Sequence, residues 1–192
     1  PGDQRMNATD KGAIEGTKED VWVFGYASLM WRPGFNHLEA QPARLFGYHR
    51  ALCVYSYLYR GTRENPGLVA GLLPGGSCRG VAFRIAAQEW QQVHQLLDER
   101  EMVYDVYIPK WMQAEIKGQR QKVFGYIANP NNEQFAGNLT DKITAKLIAT
   151  GNGTSGSGLE YLDNTLQHLQ KLGIGDQNLE NIRKLISDFS EQ

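Results

Sequence analysis

The sequence predicts an α+β fold, and three observations predict it. Apolar and β-branched runs fill the chain between residues 21 and 128. Helical periodicity takes over from residue 139 to the end. One helix, at 87–101, interrupts the strands, so the alternating rhythm of a doubly wound parallel sheet is missing. At 192 residues the chain is long enough to bury a core without metal or disulfide staples. Residues 21–192 are expected to form one domain.

Residues 1–20 are polar and aperiodic, with no basic start followed by an apolar stretch. They read as a disordered leader rather than a signal peptide. Residues 21–24 are a short apolar run, a buried-strand signal, ending in the turn Gly25-Tyr26-Ala27-Ser28. Residues 44–59, rich in aromatic and β-branched types, predict one or two more strands. A loop holding Gly61, Pro66 and Gly67 follows. Residues 68–73 and 79–85 predict two strands joined by a hairpin at Pro74-Gly75-Gly76. After the helix at 87–101, strands are expected at 103–108, 111–116 and 122–128, with turns at Pro109-Lys110 and Gly118. Leu139, Ile143 and Leu147 keep helical spacing up to Gly151. Ser157 and Glu160 form an S-x-x-E capping box, which opens a helix through Leu159, Leu162, Leu166 and Leu169. Asp176 caps a last helix that presents Leu179, Ile182, Ile186 and Phe189 on one face.

Composition excludes several functions. There are 21 acidic against 20 basic residues, a net charge of −1, so no whole-chain attraction draws the protein to nucleic acid or anionic membrane. The longest apolar runs are a few residues, whereas a spanning helix needs about twenty. Cys53 and Cys78 lack C-x-x-C spacing and read as core residues of a reducing, cytoplasmic compartment. His37, His49, His94 and His168 are scattered, so no metal site is expected. Gly151-x-Gly153-x-x-Gly156 matches a dinucleotide fingerprint in letters only. A helix precedes it where a strand is required, so it reads as a flexible interhelix loop. Gly75-Gly76-Ser77-Cys78-Arg79-Gly80 fails the nucleophile-elbow pattern, because Arg79 stands where glycine is needed.

Two segments carry chemistry. Advancing about 100° per residue from Trp90 puts Val93, Leu97 and Glu101 within about 60° of it, and Glu99 on the opposite side. Glu101 is thus a carboxylate carried inward at a helix end. Burial costs such a group several kcal/mol, or raises its pKa until it binds a proton. Buried acids of this kind cluster at functional sites; a frayed last turn would instead return Glu101 to water. The second segment is the strand that breaks at Gly25-Tyr26-Ala27-Ser28-Leu29. Consecutive amides in such a turn can converge on an anion, although an ordinary strand-end turn has the same letters.

These residues resemble a known family, the ChaC-like γ-glutamylcyclotransferases. The resemblance rests on Phe24-Gly25-Tyr26-Ala27-Ser28-Leu29-Met30-Trp31-Arg32-Pro33-Gly34-Phe35 and on Tyr59-Arg60-Gly61-Thr62. It continues through Gly75-Gly76-Ser77-Cys78-Arg79-Gly80, the block Leu97, Arg100, Glu101, Met102, and the tail Glu160-Tyr161-Leu162. It implies a compact mixed β-barrel flanked by helices. It also implies cleavage of glutathione, a small-molecule substrate, to 5-oxoproline and Cys-Gly, with no cofactor. On this reading Glu101 is catalytic. Val23, Phe24, Gly25, Tyr26, Ala27, Ser28 and Leu29 cradle the substrate, with Arg60 and Tyr107 as further contacts. The family usually has glycine where this chain has Ala27. A left-handed backbone there would strain alanine by about 1–2 kcal/mol, so an ordinary backbone is expected. Two alternatives stay open: a cyclotransferase for other γ-glutamyl amino acids or amines, and a non-catalytic regulatory protein of the cation-transport type. Glu101 separates the last from the rest, because a binding module has no need of an inward base.

Overall fold

The computed structural model describes residues 18–190, and every side chain among them except those of Phe189 and Ser190. The leader expected at 1–20 therefore lies outside the described residues except for its last three. The expected inward position of Phe189 lies outside them too. Of those three, Asp20 has a structural role: its carboxylate accepts from the Ala87 amide at 3.1 Å and pairs with Arg84 at 2.7 Å.

Five strands close a barrel. β1 (Val21–Gly25), β2 (Glu39–Ser56), β3 (Gly67–Ile85), β4 (Tyr107–Ile116) and β5 (Gln119–Ala128) follow the order β1-β3-β2-β4-β5. β1 closes the ring by pairing parallel to β5, Trp22 with Val123 and Val23 with Phe124. All other pairs are antiparallel. Closure pairs the edges that β1 and β5 would otherwise leave open. The inward row, including Phe24, Leu45, Ala82, Ala114 and Val123, is almost wholly buried. The α+β class and the barrel agree with the expectation.

Two expected turns are not turns. Pro74-Gly75-Gly76 does not reverse the chain, and β3 runs unbroken for 19 residues against the 18 of β2. Phe46 pairs with Ser77 and Tyr48 with Pro74, so Gly75 and Gly76 together oppose Gly47. All three glycines have positive φ: +82° at Gly47, +100° at Gly75 and +69° at Gly76. This is a two-against-one bulge, which coils a strand around a barrel instead of folding it back. Pro109-Lys110 is likewise inside β4, and residues 103–105 form the bend that was expected to be strand. Pro109 faces Tyr126 of β5, while β2 pairs with β4 only at residues 114–116. The missing amide of Pro109 is thus tolerated on an open stretch of edge.

The helices cover the barrel. A 3-10 turn at Ala87–Glu89 leads into α1 (Trp90–Glu101), which buries Trp90, Val93, His94 and Leu97. α2 (Asp141–Thr150) is capped by the Thr140 hydroxyl. α3 (Gly158–Lys171) is capped by Ser157, whose hydroxyl accepts from the Glu160 amide at 3.1 Å. α4 (Gln177–Ser190) is capped by Asp176, which accepts from Leu179 at 3.2 Å. The glycine-rich stretch before α3 is a small ribbon rather than a loose loop, β6 (Asn152–Gly153) against β7 (Gly156–Ser157). Thr154 and Ser155 donate to Leu58 and Tyr59 carbonyls at 2.8 and 2.9 Å. A Cβ at Gly153 would collide with that same backbone, so glycine permits the approach. Among the described residues no helix is long and apolar enough to cross a membrane.

One ion pair joins these layers. Arg50 of β2 has a side chain only 3% exposed. It donates to the Tyr26 carbonyl at 2.6 Å, the Arg79 carbonyl at 2.6 Å and Asp176 at 2.7 Å. Removing one partner of a buried pair leaves an uncompensated charge. Arg50→Met should therefore lower stability by about 3–5 kcal/mol, read as a lower urea midpoint with an unchanged slope; a midpoint equal to the parent's would contradict the role.

Candidate active site

A cavity of about 840 Å³ opens where the end of β1, the loop after β2, the end of α1 and the start of α3 meet. Residues 24–29, Arg60, Glu101 and Tyr107 all line it. Val23 does not. It is fully buried, paired with Phe83 and Phe124 on the face that α1 covers, so its place is the core rather than the cavity.

Glu101 is the last residue of α1. Its helical face carries it past Trp90 and Leu97 to the cavity wall, where its side chain is 21% exposed. Burial raises its pKa above the usual carboxylate value, and the Arg100 guanidinium at 3.2 Å partly opposes that shift. Glu99 is exposed and bonds Gln95, as the helical spacing requires.

The turn after β1 passes into a 3-10 turn at Ser28–Met30. Nothing among the described residues accepts from the amides of Ala27, Ser28 and Leu29. Such free donors are usual at a helical start and suit an anionic atom. Ala27 has φ −141°, outside the left-handed region.

Tyrosines crowd the carboxylate. Tyr26, Tyr107, Tyr126 and Tyr161 line the cavity within electrostatic reach of Glu101. Burial, more than any neighbour, raises all of their pKa values, so they stay neutral hydrogen-bonding groups. The Tyr107 hydroxyl donates to the Ala70 carbonyl at 2.8 Å, and the Tyr161 hydroxyl accepts from the Ala70 amide at 3.0 Å. Tyr126 donates to Asp98 at 2.7 Å. Arg60 donates to the Ser157 carbonyl at 3.3 Å and lies 3.7 Å from Glu160, so part of its charge is already matched.

Sequence reasoning picked out neither Tyr126 nor Tyr161 as a site residue. Both reach the cavity from elements distant in sequence, β5 and α3. Only the resemblance of the Glu160-Tyr161-Leu162 block marked either one. The histidines do not gather here. His94 packs against Trp90 and Phe124, His168 stacks on Trp31, and His37 edges onto Phe83. Among the described residues no group of three or more His, Cys, Asp or Glu could hold a metal ion. Cys53 and Cys78 are free and buried, and burial pushes the Cys53 thiol up to about 12.

A family model described as ChaC-like protein matches residues 21–189. The chain belongs to the ChaC-like family. An Escherichia coli protein named glutathione-specific gamma-glutamylcyclotransferase is 34% identical, the match covering 88% of this chain and 75% of that one. A human protein named glutathione-specific gamma-glutamylcyclotransferase 1 is 30% identical over 83% of this chain and 74% of its own length. The crystal structure of a yeast gamma-glutamyl cyclotransferase specific to glutathione superposes with a TM-score of 0.80 at 25% identity, covering 89% of this chain and 97% of that one. The barrel with its helices is thus the γ-glutamylcyclotransferase fold.

Ala27 tests how this ChaC-like loop is built. With no positive φ to relieve, Ala27→Gly should only widen the unfolded ensemble and cost about 0.4–1 kcal/mol. A urea titration measures it, and a gain in stability would show that alanine is strained after all.

Proposed function

We propose that this protein cleaves glutathione to 5-oxoproline and Cys-Gly, with Glu101 as the acid–base group. The observation that carries this reading is the Glu101 carboxylate, half-buried on the wall of a cavity whose size suits a small peptide. The names of the ChaC-like relatives support the choice of glutathione. The free, buried cysteines suit a cytoplasmic location.

The substrate's α-ammonium gives a proton to Glu101 and becomes a nucleophile. Its nitrogen attacks the γ-carbonyl of the same residue, forming the C–N bond of a five-membered lactam and a tetrahedral oxyanion. Collapse breaks the original amide C–N bond, and Glu101 returns its proton to the departing nitrogen of Cys-Gly. The second proton lost by the ring nitrogen goes to the same amine, leaving a lactam N–H and the Cys-Gly ammonium. Nothing else is consumed. Holding the two reacting atoms together supplies up to about 7–11 kcal/mol in good geometry. The amides of Ala27, Ser28 and Leu29 suit the oxyanion, where one donor is typically worth about 10²–10³ in rate. Tyr26 and Tyr107 are polar contacts for the γ-glutamyl group, and Arg60 offers its remaining charge to a substrate carboxylate. Phe24 and Gly25 complete the cradle. One carboxylate serves as base and then acid because burial brings its pKa nearer the working range.

Two measurements test this. Incubation with glutathione should yield equal amounts of 5-oxoproline and Cys-Gly. Glu101→Gln should lower that rate by at least about 10², the range of a positioned acid–base group, while Glu99→Gln changes it little. Equal rates in Glu101→Gln and the parent would sink the mechanism. Stability should move the other way. A carboxyl with a raised folded pKa contributes stability below its unfolded value, and that contribution is lost as pH rises through the folded value. At neutral pH Glu101→Gln should therefore be at least as stable as the parent. The kcat/KM profile should rise with pH along an acidic limb above the ordinary carboxylate range, since the free enzyme must ionise Glu101. A limb at or below that range would place the titration elsewhere.

A further inference from the structure

Arg100 precedes Glu101 at the C-terminus of α1, where a cation is favoured. Its side chain does not run into solvent. One nitrogen donates to the Arg32 carbonyl at 2.6 Å and lies 3.5 Å from that of Pro33; another donates to the Ser28 hydroxyl at 2.9 Å. The third, Nε, lies 3.2 Å from the Glu101 carboxylate. One planar group thus spans the turn that carries the free amides and the residue that moves the proton. We propose that Arg100 is a positioning residue for the reaction, locking the Ser28–Arg32 turn to Glu101 so that donors and base keep one fixed geometry. The inference rests on the proposed role of Glu101.

Three consequences follow from the chemistry of the group. A guanidinium presents its N–H donors in a rigid fork, whereas an ammonium is a point charge with rotatable donors. Lysine cannot reproduce all of these contacts at once. The Ser28 oxygen accepts from Arg100, which leaves the Ser28 proton to be donated elsewhere, and Ser28 lines the cavity. Arg100 is also the cation beside the base. The other groups within electrostatic reach of Glu101 are Tyr26 from the turn after β1, Tyr107 from β4, Tyr126 from β5 and Tyr161 from α3. Asp98, one turn back on α1, is bonded to Tyr126. The phenols are neutral near pH 7, so Arg100 is the group that favours the ionised base.

The experiment compares the pH profiles of kcat/KM for glutathione in the parent, Arg100→Gln and Arg100→Lys, with folding checked by circular dichroism. Arg100→Gln should lose about 10² in kcat/KM at the plateau, the scale of a misplaced catalytic group, and its acidic limb should move to higher pH. Arg100→Lys should keep the limb where the parent has it and still lose kcat. Ser28→Ala added to Arg100→Gln should cost less than it does in the parent, because the two act as a unit. A fold-only role would lower activity without moving the limb. An unmoved limb in folded Arg100→Gln, or full activity in Arg100→Lys, overturns the proposal. If Arg100→Gln does not fold, Arg100→Lys and the double-variant comparison made with Lys decide it. An active Glu101→Gln would bring down the reading of Glu101 itself, and the positioning with it. An inactive Glu101→Gln beside an unmoved limb brings down the positioning alone.

Discussion

A single buried guanidinium holds the molecule's layers in register. Arg50 rises from β2 and binds carbonyls belonging to the end of β1 and to β3, together with the carboxylate that caps α4. Burying a charge this deeply is tolerable only because its donors are aimed at acceptors and an anion faces it. Geometry at the cavity depends on it, since one of those carbonyls is Tyr26, the first residue of the cavity-lining turn beyond β1. Arg50 secures that turn from the barrel side and Arg100 meets it from the helix side. Between them they brace the turn in addition to its own short 3-10 hydrogen bonds.

Local signals in the sequence held where local physics decides. The inward position of Glu101 followed from helical spacing alone. Ser157, Asp176 and the buried faces of α1 and α4 were legible for the same reason, since a cap or an apolar stripe acts within a turn or two. The misreadings share a cause. Pro74-Gly75-Gly76 carries every letter of a turn, and so does Pro109-Lys110. In both places the partner strand decides whether the chain reverses or bends. Opposite Gly75 and Gly76 stands Gly47, which lets the pair absorb the irregularity as a bulge. That information sits about thirty residues away in the chain, beyond the reach of a local pattern. Tyr126 and Tyr161 were hidden likewise, because their approach to Glu101 is a fact of topology. Val23 errs in the other direction. It adjoins the cavity-lining turn in sequence, but strand alternation turns it to the opposite face from Phe24, which lines the cavity.

The carboxylate and the fold pull against each other. A base that works near neutral pH, the role proposed for Glu101, is made by burial, and burial of a charge weakens the folded state. Arg100 moderates the conflict without ending it, as does the residual exposure of Glu101. The surrounding phenols add polarity without adding charge. They offer hydrogen bonds to a polar ligand while leaving the carboxylate poorly solvated, which is the combination a reversible proton carrier needs.

The parallel seam between β1 and β5 has a consequence for how the molecule comes into being. Its paired residues lie about a hundred positions apart, so this contact carries a large loop-closure entropy and belongs among the late events of folding. During synthesis β1 emerges first and must wait for β5 with an apolar strand unpaired. The long β2–β3 pair forms from neighbouring chain and can shelter it on one side, since β1 also pairs with β3. The cavity draws on the end of β1, on β5 and on α3, so it cannot exist until the seam has closed. Catalytic competence would then appear in one step, with no partly active species along the way.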